Sequence, residues 1–122
     1  MIKISNPEVI HFPYKDMPNL EGCASFNVFR KGQTIFYKGH SPYGLYILVT
    51  GEVDVIYSDK DVEKVDSSSF LGVSAFLKKS VYSASAITLT NCNVYFLSTG
   101  VYKDLLEQNN TLALWIKNLV EI

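Results

Sequence analysis

The middle of the chain alternates between short apolar runs and turn residues. The runs are rich in β-branched and aromatic residues, and glycine or polar residues bound each of them, a pattern typical of antiparallel strands. They cover residues 34–37, 45–49, 53–57 and 62–65. Gly32, Gly39 and Gly51 separate or precede them, and we expect these glycines to form corners because glycine adopts positive φ at little cost. The last two runs predict a hairpin. From periodicity alone, any small β-barrel fits.

The flanking segments extend this pattern. Residues 23–28, 80–89 and 91–97 are predicted to be strands. In the lead segment, Pro7, Pro13 and Pro18 recur too often for an unbroken helix, although residues 8–12 could form one helical turn after Pro7.

Two helices are predicted after the last strand. Ser98-Thr99 is a start signal for the first, and Asn109-Asn110 ends it and caps the second. The second helix carries an amphipathic stripe with apolar residues at helical spacing. The stripe consists of Leu112, Trp115, Ile116 and Leu119. Two roles remain open for it: packing on the chain's own barrel, or a dimer contact with Trp115 as its anchor.

The sequence motif in residues 29–55 is more specific than the periodicity. It contains F-x-K-G-x-x-I-F-x-x-G followed by L-Y-x-L-x-x-G-x-V-x-V, carried by Phe29, Lys31, Gly32, Ile35, Phe36, Gly39, Leu45, Tyr46, Leu48, Gly51, Val53 and Val55. This stretch resembles the cyclic-nucleotide-binding domain family, which includes the catabolite activator proteins and the kinase regulatory subunits. The resemblance implies a mostly β, antiparallel jelly-roll, or double-stranded β-helix, with short flanking N- and C-terminal helices. We expect one domain over residues 1–122, with a lead segment at 1–22, the β-roll at 23–97 and C-terminal helices at 98–122.

The resemblance also places a phosphate-binding cassette at residues 70–86, and it implies a short helix over residues 70–77. In the family a short helix offers its N–H groups to the cyclic phosphate, an arginine pairs with the phosphate oxygens, and a glutamate accepts the ribose hydroxyl. Leu71-Gly72 and Ser83-Ala84 match the conserved pairs of that pattern, whereas Val73 stands at the glutamate position and Tyr82 at the arginine position.

Both polar anchors of the cassette are therefore replaced. The backbone amides of Val73 and Ser74 and the hydroxyls of Ser74 and Ser83 still predict an anion-friendly corner, and Lys78 and Lys79 could add charge. We predict that the domain does not bind cAMP or cGMP in the usual way. An infilled pocket and a pocket for a different small ligand both remain open.

Composition excludes several other classes of function. The 122 residues carry a net charge of −1 and no basic block, which argues against direct DNA binding. Two cysteines and two histidines cannot supply an iron–sulfur cluster or a metal-binding cluster. No catalytic motif, cofactor site, signal peptide or membrane span is expected, so we predict a cytoplasmic, non-enzymatic sensor or regulatory domain without a DNA-binding domain. Its partners would be an unidentified small ligand, a second copy or another protein. The alternative is a scaffold for protein interaction with no small-molecule ligand.

Overall fold

A computed structural model describes residues 7–13, 15, 19–20 and 22–119. Over these residues the chain forms nine strands and three helices. They are, in order, β1 (Val9–His11), β2 (Ser25–Phe29), β3 (Thr34–Phe36), β4 (Gly44–Thr50), β5 (Val53–Ser58), β6 (Asp61–Val65), β7 (Ser69–Leu71), α1 (Val73–Lys78), β8 (Ser85–Thr88), β9 (Cys92–Ser98), α2 (Thr99–Glu107) and α3 (Thr111–Lys117).

The strands form two antiparallel sheets. The five-stranded sheet has the order β1-β7-β4-β9-β2, and the four-stranded sheet has the order β3-β8-β5-β6. Strand β4 shows how they pack, because Leu48 joins a cluster with Val53 and Val55 of the other sheet. Leu45 and Ile47 lie on the opposite face of β4 and pack against the helices. At β4 the five-stranded sheet is thus covered on both faces, and the expected mostly β jelly-roll is confirmed.

The glycine corners are also confirmed. Gly32, Gly39 and Gly51 have φ of 85°, 87° and 114°, a region that side-chain-bearing residues rarely adopt. Gly51 is the most constrained of the three, because a Cβ there would lie 2.5 Å from Cys92 Sγ and 2.8 Å from the Asn91 carbonyl oxygen.

The expected helical turn at residues 8–12 is wrong. Residues Val9–His11 form strand β1, which pairs antiparallel with β7 in the register Val9↔Leu71, Ile10↔Phe70 and His11↔Ser69. Pairing of β1 with β7 is favoured over the local helical turn because it also buries Val9 and Phe12. Pro18, the last of the three prolines, lies outside the described residues.

Two further element boundaries shift. Phe70 and Leu71 belong to β7, so the short helix of the 70–77 segment begins only at Val73. The strand expected over residues 80–89 is confined to Ser85–Thr88, since the residues before it form a loop.

The C-terminal helices begin where the capping residues predict. The Ser98 hydroxyl accepts a hydrogen bond from Val101 N–H, and the Asn110 side chain accepts from Leu112 and Ala113 N–H. No helix among the described residues is long and apolar enough to cross a bilayer.

The amphipathic stripe of α3 packs on the chain's own five-stranded sheet. Ile116 is fully buried, and the Trp115 ring lies edge-on to Phe70 and Phe12 at centroid distances of 5.4 and 5.9 Å. Leu112 and Leu119 are partly buried against the same cluster.

Candidate functional site

The candidate site lies where β7 ends and α1 begins. The chain turns there at Gly72, whose φ of 81° lies in the left-handed region. A Cβ at this position would lie 2.8 Å from Cε1 of Tyr82, so the glycine also allows the Tyr82 ring to approach the backbone. The turn brings the first residues of α1 beside the loop that precedes β8.

The cassette residues inferred from the sequence lie together in this corner. Most are buried in the structure, and Ser83 is half-buried; the set comprises Leu71, Gly72, Val73, Ser74, Tyr82, Ser83 and Ala84. The Val73 side chain is fully buried in the apolar cluster beneath the helices. It therefore presents no polar group to the corner.

Tyr82 fills the position that the resemblance gives to a cation. Its ring stacks on Phe36 with centroids 4.1 Å apart and planes 14° apart, and Phe36 in turn stacks on Tyr46 at 6.0 Å. Burial raises the pKa of the Tyr82 hydroxyl far above its usual value, and the nearby Tyr46 and Glu8 raise it further. The side chain is thus a neutral aromatic plug, 4% exposed.

A small cavity remains beside this plug. It has a volume of about 150 Å³ and is lined mainly by aromatic residues of β3, β4 and the loop after β3. Drug-sized ligands usually occupy cavities of roughly 300–1,000 Å³. The space next to Tyr82 is therefore small for a nucleotide.

The polar centre of the corner is occupied by Glu8, from the segment that leads into β1. This carboxylate is fully buried. Its Oε1 accepts a hydrogen bond from Ala75 N–H at 3.1 Å. Its Oε2 accepts from Ser83 N–H at 2.8 Å and from Ser83 Oγ at 3.0 Å. An anion already lies where the start of α1 meets the loop before β8.

The same segment satisfies the other free N–H groups at the start of α1. The Glu8 carbonyl oxygen accepts from Gly72 N–H at 2.7 Å, and the Pro7 carbonyl oxygen accepts from Ser74 N–H at 3.2 Å. Gly72, the residue at the cap position of α1, offers no side chain for this purpose. The lead segment therefore caps α1 from a distant part of the sequence.

Comparison with known families agrees with the fold. Residues 26–109 match the family described as Cyclic nucleotide-binding domain. The chain belongs to this family. Among curated proteins, none matches the sequence significantly.

Solved structures share the fold of this cyclic nucleotide-binding domain. The catabolite activator protein of Thermus thermophilus is 19% identical with a TM-score of 0.66, over 76% of this chain and 46% of that one. A cyclic nucleotide-binding-like protein from Brucella abortus is 25% identical with a TM-score of 0.61, over 69% and 76%. A transcriptional regulator from Thermotoga maritima is 17% identical with a TM-score of 0.66, over 83% of each. The chain spans under half the length of the Thermus protein.

Sequence reasoning missed the part that Glu8 plays in this cyclic nucleotide-binding domain. Glu8 follows Pro7 and resembles an acidic residue in the first turn of a helix. Its two side-chain partners, Ala75 and Ser83, are 67 and 75 residues away in the sequence. The apolar or aromatic residues predicted at both anchor positions, Val73 and Tyr82, suggest that another group satisfies the corner, but they do not point to residue 8.

Lys78 and Lys79 were considered as substitute cations, but the hydrogen bonds to the Glu8 side chain described above come from Ala75 and Ser83. Lys78 ends α1, and Lys79 follows it with a φ of 54°. With Lys103 and Lys117 they line a cavity of about 340 Å³ between the three helices of the domain, whose floor includes Phe76 and Tyr102. Lys78 and Lys79 therefore lie at the C-terminal end of α1, whereas the carboxylate accepts from Ala75 in its first turn.

The histidines and cysteines have structural partners. His11 is exposed and lies 3.2 Å from Glu63 Oε2 through its Nε2. Neither cysteine forms a disulfide, and burial raises the pKa of each thiol. Among residues 7–13, 15, 19–20 and 22–119, no group of three or more His, Cys, Asp or Glu side chains is placed to bind a metal ion.

Gly72→Ala should destabilise the domain by about 2–5 kcal/mol. A left-handed φ costs an alanine about 1–2 kcal/mol, and crowding the stacked Tyr82 ring adds about 1–3 kcal/mol. Urea unfolding followed by circular dichroism measures the change. Gly100→Ala is the matched control, because a Cβ at Gly100 meets no atom within 4 Å and alanine favours the helix it would join. A loss of stability no larger at Gly72 than at Gly100 would contradict the role given to this turn.

Proposed function

We propose that this chain is a regulatory domain that has lost the usual cyclic-nucleotide site. The family and the jelly-roll fold support a sensor or regulatory domain. The family is in general not enzymatic, and we extend that to this chain. A cytoplasmic location, the absence of DNA binding and a protein or small-molecule partner stay predictions from the sequence.

The observation that carries the proposal is the Tyr82–Phe36 stack. A nucleotide in the usual position needs a planar cation against its phosphate, and this chain offers a neutral ring there. The ring is held between Phe36 and the backbone of Gly72, so it cannot turn aside without leaving a buried void. A cavity of about 150 Å³ lies beside it.

Electrostatics supports the same conclusion. The only arginine of the chain, Arg30, follows β2, and its N–H donates to Gln33 Oε1 at 2.6 Å, in a turn that belongs to a different part of the barrel. The Glu8 carboxylate would also repel an incoming phosphate. A charge-assisted hydrogen bond contributes about 1.5–3 kcal/mol. Losing two such anchors weakens binding by about 10²–10⁴-fold.

Isothermal titration of the protein with cAMP and with cGMP tests the proposal. We expect no saturable heat up to about millimolar nucleotide, because both anchors are absent and the phosphate position is already anionic. A dissociation constant in the micromolar range or tighter for either nucleotide would overturn the proposal. Repeating the titration with 5′-AMP distinguishes specific recognition of the cyclic phosphate from general nucleotide binding.

A further inference from the structure

The Glu8 carboxylate makes the set of contacts expected of a bound anion. Its two oxygens receive three hydrogen bonds, two from backbone N–H groups of Ala75 and Ser83 and one from the Ser83 hydroxyl. The donors come from two separate segments, α1 and the loop before β8, which converge on this one group. Both segments belong to the cassette that the sequence resemblance assigns to phosphate binding. A surface glutamate that merely packed inward would not find donors from both segments at 2.8–3.1 Å.

The carboxylate is also fully removed from water. A buried charge is tolerated only where fixed donors or an opposite charge replace its hydration. Here the contacts of Glu8 that the structure gives are all to neutral N–H and O–H groups. Ala75, one of these donors, lies in the first turn of α1. The corner thus retains the neutral donors of an anion site after losing the arginine.

The chain holds Glu8 in place from two sides. Downstream, β1 is fixed to β7 by the pairs Val9↔Leu71 and Ile10↔Phe70. At Glu8 itself, the backbone N–H donates to the Tyr57 hydroxyl at 3.0 Å, a residue of the other sheet. A group tethered in this way has a very high effective concentration at its site. An external anion of similar chemistry would compete poorly with the tethered carboxylate for the same donors.

We infer that the cassette of this domain is a carboxylate-binding site whose ligand is Glu8 of the same chain. The lead segment keeps the domain in an occupied state without any external molecule. This goes beyond the proposed function, because a domain can lose cyclic nucleotide binding without acquiring an internal substitute. It also predicts the class of molecule that the site accepts once Glu8 is removed: a small carboxylate.

Glu8→Ala with added acetate tests this inference. The four heavy atoms that the substitution removes beyond Cβ are those of an acetate ion, so the variant contains a hole of that shape lined by the donors of Ala75 and Ser83. In chloride we expect a melting temperature well below that of the unsubstituted protein. Replacing chloride by about 100 mM acetate at constant ionic strength should raise it by roughly 5 °C. Propionate, which is larger, should raise it less.

The matched control is Glu63→Ala. Glu63 also contacts the β1 segment, through His11 at 3.2 Å, but its removal leaves the cassette filled. Neither this variant nor the unsubstituted protein should distinguish acetate from chloride. An equal acetate effect in all three proteins, or Glu8→Ala as stable as the unsubstituted protein, would overturn the inference. Rescue by inorganic phosphate but not by acetate would refute the carboxylate class.

A second measurement needs no variant. In native-state hydrogen exchange, the amides of Ala75 and Ser83 should exchange only through large-scale unfolding, because Glu8 accepts both. Exchange of these two amides at the rate of exposed loops would show that the carboxylate is not held there. None of these readouts involves a nucleotide, so they succeed or fail independently of the cyclic nucleotide titration.

Discussion

Tyr82→Ala should lower the free energy of unfolding by about 3–5 kcal/mol, the range for deleting a buried aromatic ring. The ring lies 4.1 Å from Phe36 and is 4% exposed, so its removal leaves a void in the middle of the inter-sheet core. The void would join the cavity of about 150 Å³ that already borders the ring. Urea unfolding followed by far-ultraviolet circular dichroism gives the value.

Tyr82→Phe is the control for this prediction. It keeps the stacked ring and removes only the hydroxyl, so we expect a change below about 1 kcal/mol. Equal losses in the two variants would mean that the hydroxyl, and not ring packing, accounts for the presence of tyrosine at this position. A small loss in Tyr82→Ala would contradict the description of the ring as a packed plug.

Phe70→Ala should be equally damaging, at about 3–5 kcal/mol. Phe70 is fully buried in β7, where its ring contacts Phe12 at 4.8 Å and Trp115 at 5.4 Å. Its backbone pairs with Ile10 on one side and Ile47 on the other. The substitution would therefore loosen both the β1–β7–β4 part of the five-stranded sheet and the packing of α3 on it. The same urea experiment measures it.

The emission of Trp115 provides a local readout of Phe70→Ala. It is the only tryptophan of the chain, and its ring lies against Phe70, so its spectrum should shift toward that of a water-exposed indole before global unfolding. Val28→Ala on β2 is the control, because this side chain is 59% exposed and its loss should cost less than about 0.5 kcal/mol. An unchanged Trp115 spectrum in Phe70→Ala would contradict the packing of α3 on β7.

Local chemistry made much of the scaffold predictable. Positive φ at Gly32 and Gly39 follows from the cost that any side chain would incur in those corners. The starts of α2 and α3 follow from the hydrogen bonds that Ser98 and Asn110 make to the next turn. Each of these features depends on residues within four positions of one another, which is the range that sequence patterns describe well.

The N-terminal segment was not predictable in this way. Residues 8–12 favour a helical turn locally, but pairing with β7, about 60 residues away, makes them extended. The direction in which Glu8 points follows from that pairing, and no local pattern encodes it. That Tyr82 stands at the family's arginine position and Val73 at its glutamate position is a prediction from the sequence. What replaced them electrostatically was visible only in three dimensions.

The position of Glu8 relative to the family match has a consequence for how such chains are compared. The matched residues are 26–109, so the carboxylate that fills the cassette lies outside the aligned region. An alignment restricted to that region omits the carboxylate that accepts hydrogen bonds from Ala75 and Ser83. A protein trimmed to 26–109 would lose β1 together with the groups that cap α1.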